Sequence, residues 1–236
     1  MPRARTLLPS AAYVALAIAD SIAAGKKSTS VGARRWRRVL KPALMPTLAA
    51  AFHSRTADRG AGPDTQLLHT ATAVAQAFSW GGDVALLGTS KRSFLTGVGS
   101  FFGAHVAYVA AFLSVRGESK DYDTAGLKVA LGLWLTAAPV LGVAAGRKDP
   151  ALGVPVAAYA TILSAMFASS RMLDPALPQD ARRTLQAGTA LFLVSDTVLA
   201  AQKFLLPEPR PALEAVVMTT YTAGQALIAA GVASAT

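Results

Sequence analysis

Long apolar runs alternate with short polar segments along the whole chain. Each run holds roughly 20 mostly apolar residues, which is the length a helix needs to cross the hydrocarbon core of a bilayer. The pattern predicts spanning helices at Thr6–Ala24, Val39–Ala57, Gln66–Gly88, Ser93–Val115, Thr124–Gly146, Ala151–Leu173, Thr184–Leu205 and Pro211–Ala233. No long hydrophilic stretch separates them. We therefore predict an all-α polytopic integral membrane protein, a bundle of about eight transmembrane helices in which residues 1–236 form a single domain.

Two of these runs have features that set them apart. The first, in MPRARTLLPSAAYVALAIAD, has the arginines and apolar core of a signal peptide as well as those of a first transmembrane helix. We interpret it as a retained helix because several more apolar runs follow. The second run is the weakest of the set, since it contains Lys41, Pro42, Pro46 and His53.

The composition supports a membrane location. Hydrophobic residues make up 53% of the chain and charged residues 15%, whereas soluble domains are about 25% charged. The net charge of +10 would suggest a nucleic-acid partner in a soluble protein. Here the basic residues lie between the apolar runs, where Lys and Arg meet lipid phosphates and set topology. Membrane lipid is therefore the expected partner, and nucleic acid is not.

The basic residues are divided almost evenly between the two sets of loops. The densest cluster, ARRWRR at residues 33–38, favours a cytoplasmic position for its side of a multi-pass protein in the cell membrane. Attraction of anionic lipid headgroups is the alternative interpretation of the same cluster.

Metal and cofactor chemistry has little support in the sequence. There is no cysteine, so thiolate ligands, thiol nucleophiles and disulfides are excluded. His53, His69 and His105 lie far apart with no pair at helical spacing. We expect neither a metal nor a cofactor, and the oligomeric state is not predicted.

Several polar side chains interrupt the apolar runs. A charged group at the bilayer centre costs at least about 2.5–3.5 kcal/mol, so it should face the bundle interior or a cavity. Lys41, Asp83, His105 and Asp196 require this explanation, whereas Asp20 is expected to reach the interface. Milder cases are Tyr159, Ser195, Tyr221 and Gln225.

The predicted topology brings these groups to one depth. The two helices with Asp83 and Asp196 run in the same direction, and each aspartate falls in the second half of its helix. We expect the polar groups to meet in the leaflet next to the ARRWRR side. A purely structural network is the alternative, in which Lys41 neutralises one aspartate and each interhelical hydrogen bond contributes about 0.6–2 kcal/mol.

The polar residues belong to short blocks that together resemble a known family. The blocks are LKPALMP, FSWGGDVALL, FLTGVGSFFGAHVAYVAAF, YATILSAM, GTALFLVSDTVLAAQKF and MTTYTAGQALIAAG, in that order. They carry the patterns GD, H-x-x-Y, SD and Y-x-x-x-Q. In this the chain resembles the YhhN/TMEM86 family of lysoplasmalogenases. The positions that match the family's polar motif residues are Lys41, Pro42, Asp83, His105, Tyr108, Tyr159, Ser195, Asp196, Tyr221 and Gln225.

The resemblance implies a membrane hydrolase of lysoplasmalogen. Such enzymes cleave the vinyl ether bond and release a fatty aldehyde and glycerophosphoethanolamine or glycerophosphocholine. Another ether lipid remains an alternative substrate. The headgroup and chain preferences do not follow from the motifs.

Vinyl ether hydrolysis matches the residue types present. Protonation at carbon gives an oxocarbenium ion, and water then adds to form a hemiacetal that collapses. Two carboxylates in different environments can divide the acid and base roles, as in glycoside hydrolysis. We assign this pair to Asp83 and Asp196 without deciding which is the acid. Lys41 tunes their charge or holds the substrate phosphate. The expected positioning residues are His105, Tyr108, Tyr159, Ser195, Tyr221 and Gln225.

Two other classes of function fit the same residues. Intramembrane Asp and Lys also serve transporters and proton-coupled channels, and a non-catalytic lipid-binding protein could use the acids as structural partners. Flux across liposomes identifies the first class, and bound lipid that is never consumed identifies the second. The sequence has no G-x-S-x-G, H-E-x-x-H or P-loop motif, which disfavours serine lipase chemistry.

Overall fold

The computed structural model describes residues 2–27, 29–57, 62–208 and 210–235, with side chains from residue 7 onward except at 63 and 64. The described residues form eight α-helices: α1 (Pro2–Lys26), α2 (Val31–Thr56), α3 (Pro63–Ala85), α4 (Lys91–Leu113), α5 (Thr124–Lys148), α6 (Pro150–Ser169), α7 (Gln179–Phe204) and α8 (Pro211–Ser234). A single 3₁₀ turn, Ser119–Asp121, precedes α5. No strand occurs within these ranges. The predicted all-α class is confirmed.

Six of the eight helices are long and apolar enough to cross a membrane, counting only the described residues. They are α1 from Leu7 onward and α4 to α8. The other two, α2 and α3, have 26 and 23 residues but are more polar. In α2 the polarity comes from the ARRWRR cluster and Lys41, both within its first half.

Local capping explains where several helices begin. The side chains of Ser30, Ser90, Asp123 and Asp149 each accept a hydrogen bond from a backbone N–H in the first turn of α2, α4, α5 and α6, respectively. These oxygens satisfy donors that a helix N-terminus otherwise leaves unpaired. These caps thus fix the residues at which the four helices begin.

Successive helices pack in pairs, α1 with α2, α3 with α4, α5 with α6 and α7 with α8. The four loops within these pairs lie at the same end of the bundle, which we call the hairpin end. Ion pairs join them there, between Lys27 and Glu214 at 2.7 Å and between Lys91 and Asp149 at 2.6 Å. The ARRWRR cluster begins α2 at this same end.

The α7–α8 pair is the most closely packed around the polar residues. A Cβ atom on Gly188 would lie 2.7 Å from the backbone nitrogen of Ile228, and one on Gly231 would lie 2.8 Å from that of Leu185. Small residues let membrane helices approach to backbone contact. This contact fixes α7 relative to α8, and so fixes the side chains that both helices point inward.

The exposed helix faces are apolar, and ionisable side chains lie buried within a mostly apolar interior. Val154, Leu135 and Ile18 are more than half exposed, as suits side chains facing lipid tails. Asp83 and His105, in contrast, are 1% and 0% exposed. Ionisable groups in membrane proteins face the interior for this reason, because hydrocarbon cannot solvate them.

Candidate functional site

Six of the nine predicted site residues line one cavity toward the hairpin end, with a volume of about 90 Å³. We call it the site cavity. Its polar residues are Lys41, Asp83, Tyr159, Ser195, Asp196 and Tyr221, together with Lys203. The rest of its wall is apolar and includes Leu86, Val98, Phe101 and Met218. The predicted meeting of polar groups at one depth is therefore found for these six residues.

Asp83, in the last turn of α3, is held through both of its carboxylate oxygens. Its Oδ1 lies 3.3 Å from the Nζ of Lys41 on α2. Its Oδ2 accepts a hydrogen bond of 2.8 Å from the hydroxyl of Tyr221 on α8. A buried carboxylate with a cation and a donor in place is stabilised as an anion and fixed in orientation. Asp83 therefore presents to the cavity a carboxyl group whose two oxygens are both held in place.

Asp196, on α7, is held through one oxygen only. Its Oδ2 accepts a short hydrogen bond from the hydroxyl of Tyr159 on α6. The Nε2 atom of His105 lies 3.0 Å from that hydroxyl oxygen and 3.7 Å from Oδ2. Because the tyrosine hydrogen points to Asp196, its oxygen accepts from His105, which places a ring hydrogen on Nε2.

The second oxygen of Asp196 distinguishes it from Asp83. No residue in the described ranges donates a hydrogen bond to Oδ1 of Asp196. The side chain is 10% exposed, against 1% for Asp83. One carboxylate thus has both oxygens engaged by described side chains, while the other has one.

Aromatic rings separate the partners of the two carboxylates. The Phe192 ring lies edge-on to His105 at 4.9 Å and to Tyr221 at 5.4 Å between centroids. Phe101 lies edge-on to Tyr221 at 5.8 Å. Edge-to-face contacts of this kind favour one arrangement of the rings. The cluster keeps the two carboxylate networks apart although both reach the same cavity.

The other three predicted residues, His105, Tyr108 and Gln225, stand behind the cavity wall. The Tyr108 hydroxyl donates to Oε1 of Gln225 at 2.6 Å, and Nε2 of Gln225 donates to the Ser79 hydroxyl at 2.9 Å. These bonds tie α4, α8 and α3 together. Ser195 lines the cavity, but its hydroxyl donates to the carbonyl of Val217 at 3.0 Å.

Sequence reasoning missed a buried ion pair beside the site. Asp20 is 0% exposed and accepts two hydrogen bonds from the Arg37 guanidinium, at 3.0 and 3.2 Å. The expectation that Asp20 reaches the interface is therefore wrong, because the arginine of the ARRWRR cluster turns inward to neutralise it. The signal was available, since the two residues flank the same loop with opposite charges.

A polar stripe on α3 was missed too. Gln76, Ser79 and Asp83 follow one another at helical spacing and are all nearly fully buried. Residues three and four apart share one face of a helix, so the pattern predicts an inward polar face. Lys203 was also overlooked, because it lies near the end of its apolar run.

Comparison with known proteins identifies the family of the chain. Residues 36–232 match the sequence profile of the YhhN family, and this range includes every predicted site residue. The human protein lysoplasmalogenase TMEM86B is 33% identical over 152 residues, which cover 62% of this chain and 56% of the relative. The chain thus spans little more than half the length of that relative. No solved structure matches. The resemblance noted from the short motifs is confirmed, and the chain belongs to the YhhN family.

Proposed function

We propose that the protein is a lysoplasmalogenase-like membrane hydrolase. It cleaves the vinyl ether bond of a lysoplasmalogen to a fatty aldehyde and glycerophosphoethanolamine or glycerophosphocholine. The observation that carries the proposal is the pair of unequal carboxylates, Asp83 and Asp196, on one apolar-walled cavity. The family and the name of the human relative support it.

The proposal includes eight crossings by one transmembrane domain of residues 1–236 in the cell membrane. The exposed arginines of α2, Arg34, Arg35 and Arg38, lie in its first turns at the hairpin end, where headgroups accept them. Lys41 and Arg37 are neutralised by carboxylates. We propose that α2 and α3 complete the bundle as its two more polar crossings, with these buried charges neutralised inside it.

In the mechanism we propose, Asp196 is the acid. Its Oδ1, open to the cavity, carries the proton and delivers it to the outer vinyl carbon, using the alkene electrons to form the new C–H bond. Asp83, whose oxygens are both engaged, stays an anion and stabilises the oxocarbenium ion. The neighbouring Tyr159 and His105 hold Oδ2 of Asp196 so that Oδ1 faces the substrate.

Water then completes the reaction. It adds to the oxocarbenium carbon and gives a proton back to Asp196, forming a hemiacetal. Collapse of the hemiacetal breaks the bond to glycerol, with one proton lost from the hemiacetal hydroxyl and one gained by the glycerol oxygen. The net change is one water consumed, and Asp196 ends as it began.

Incubating the purified protein with matched lipids tests the proposal. One lysolipid has a vinyl ether, one an ester and one a saturated ether, with the same chain and headgroup. We expect free aldehyde from the vinyl ether and no product from the other two. Absence of aldehyde would contradict the proposal. Ion or substrate flux across liposomes in that case would favour a transporter.

A further inference from the structure

A larger cavity of about 550 Å³ lies at the hairpin end next to the site cavity. We call it the vestibule. Residues at the hairpin end of all four helix pairs line it, among them Lys27, Ser90, Asp149 and Glu214. Lys41, Phe94 and Lys203 line both cavities. The vestibule therefore joins the hairpin end of the bundle to the cavity that holds the two carboxylates.

The vestibule is rich in cations, and most of them already have partners. The pairs are Lys27–Glu214, Arg37–Asp20, Lys41–Asp83 and Lys91–Asp149, at 2.7, 3.0, 3.3 and 2.6 Å. The hydrogen bond from Lys91 also holds the pKa of the Asp149 carboxyl below its usual range. That pair consequently remains charged at neutral pH, and the Asp149 carboxylate offsets the charge of the Lys91 ammonium.

Lys203 is the exception among the described residues that line the vestibule. No described carboxylate forms an ion pair with it. Its Nζ instead lies 4.2 Å from the centroid of the Phe94 ring. A cation over an aromatic face gains about 0.5–2 kcal/mol, and the ring leaves the other side of the ammonium open. Lys203 thus offers a positive charge where the two cavities join.

The distance between Lys203 and Asp196 matches the distance between the phosphate and the ether oxygen of one lysolipid molecule. The two residues lie on the same face of α7, two turns or about 10 Å apart along the helix axis. A lysine side chain in a helix leans toward the N-terminus, which brings its ammonium back toward Asp196. In a lysolipid the ether oxygen and the phosphorus are joined by about five single bonds of ~1.5 Å each. A phosphate at Lys203 therefore places the ether within reach of Asp196.

We propose that Lys203 binds the substrate phosphate and that the vestibule is the headgroup subsite. The inference rests on the proposed function. The sequence analysis considered Lys41 for this role, but Lys41 forms an ion pair with Asp83. Lys203 forms no ion pair with a described carboxylate. Lys203 recognises the phosphate, and so distinguishes a lysophospholipid from an alkenylglycerol that lacks it.

Binding of two non-hydrolysable lipids tests this assignment. The probes are a saturated 1-alkyl-glycerophosphoethanolamine and the 1-alkylglycerol of the same chain, titrated in detergent. We expect the wild type to bind the phospholipid about 10- to 100-fold more tightly, the range of a charge-assisted contact. In Lys203→Met that ratio should fall close to one. Lys203→Arg, which keeps the charge, should retain most of it.

Lys26→Met is the matched control. Lys26 ends α1 at the hairpin end, is exposed and does not line the vestibule. Its replacement should therefore leave the ratio of the two lipid affinities unchanged. An unchanged ratio in Lys203→Met would overturn the inference. If instead the proposed function is wrong and the Lys203 assignment is right, the result is different. The wild type would still bind the phospholipid more tightly than the alkylglycerol, but it would release no aldehyde from a lysoplasmalogen.

Discussion

Replacing Asp196 by asparagine should lower the rate of aldehyde release by about 10²–10⁴-fold, the usual contribution of a positioned acid. Asparagine keeps the shape of the side chain and can still accept from Tyr159 through its amide oxygen. It cannot supply the proton that the vinyl carbon requires. The loss should therefore appear in kcat, with the protein still folded and monodisperse in detergent.

Two further variants separate this role from a structural one. Asp180→Asn makes the same change in the exposed first turn of α7 and should behave as the wild type. Tyr159→Phe removes the hydrogen bond to Oδ2 of Asp196 but leaves Oδ1 able to donate its proton. It should therefore lower kcat less than Asp196→Asn does. Wild-type turnover by Asp196→Asn would refute its assignment as the acid.

The second large effect concerns the pair of Lys41 and Asp83. Replacing Lys41 by methionine leaves Asp83 buried without its counter-charge, and breaking a buried pair in this way costs about 3–5 kcal/mol. We expect a marked drop in the thermal midpoint in detergent. The double variant Lys41→Met/Asp83→Asn removes both charges, so it should recover most of the lost stability.

Activity should not recover with stability in that double variant. The fixed anion beside the oxocarbenium ion is absent, although the fold is restored. A stable double variant with wild-type aldehyde release would show that the pair only holds α2 and α3 together. This comparison therefore distinguishes the catalytic interpretation from the structural network considered for the sequence.

The helix bounds show what hydropathy can and cannot predict. The apolar run Val39–Ala57 marks α2, yet the helix begins at Val31. Hydropathy reports the stretch that hydrocarbon accepts, whereas the backbone hydrogen bonds continue through the arginines into the headgroup region. The same reason explains α7, which starts at Gln179 instead of Thr184.

The sequence was enough to predict the depth of the site residues along their helices, but not which residues form hydrogen bonds with each other. Helix direction and position along the run were enough to bring Lys41, Asp83 and Asp196 to one level. Which tyrosine serves which aspartate depends on lateral packing, such as the backbone contact of α7 with α8 at Gly188. Glycines such as Gly188 mark a close helix approach but do not show which helix they will contact. The vestibule and the position of Lys203 in it were missed for a related reason, since the vestibule forms only where the hairpin ends of the four helix pairs converge.

Proton transfer to carbon is the central claim, and turnover in D₂O measures it directly. The aldehyde is reduced at once to the alcohol, and a parallel incubation of unlabelled aldehyde with the protein corrects for exchange by enolisation. We predict one solvent deuterium on the carbon next to the aldehyde carbon, placed on a single face. Aldehyde formed without deuterium at that carbon would contradict the account.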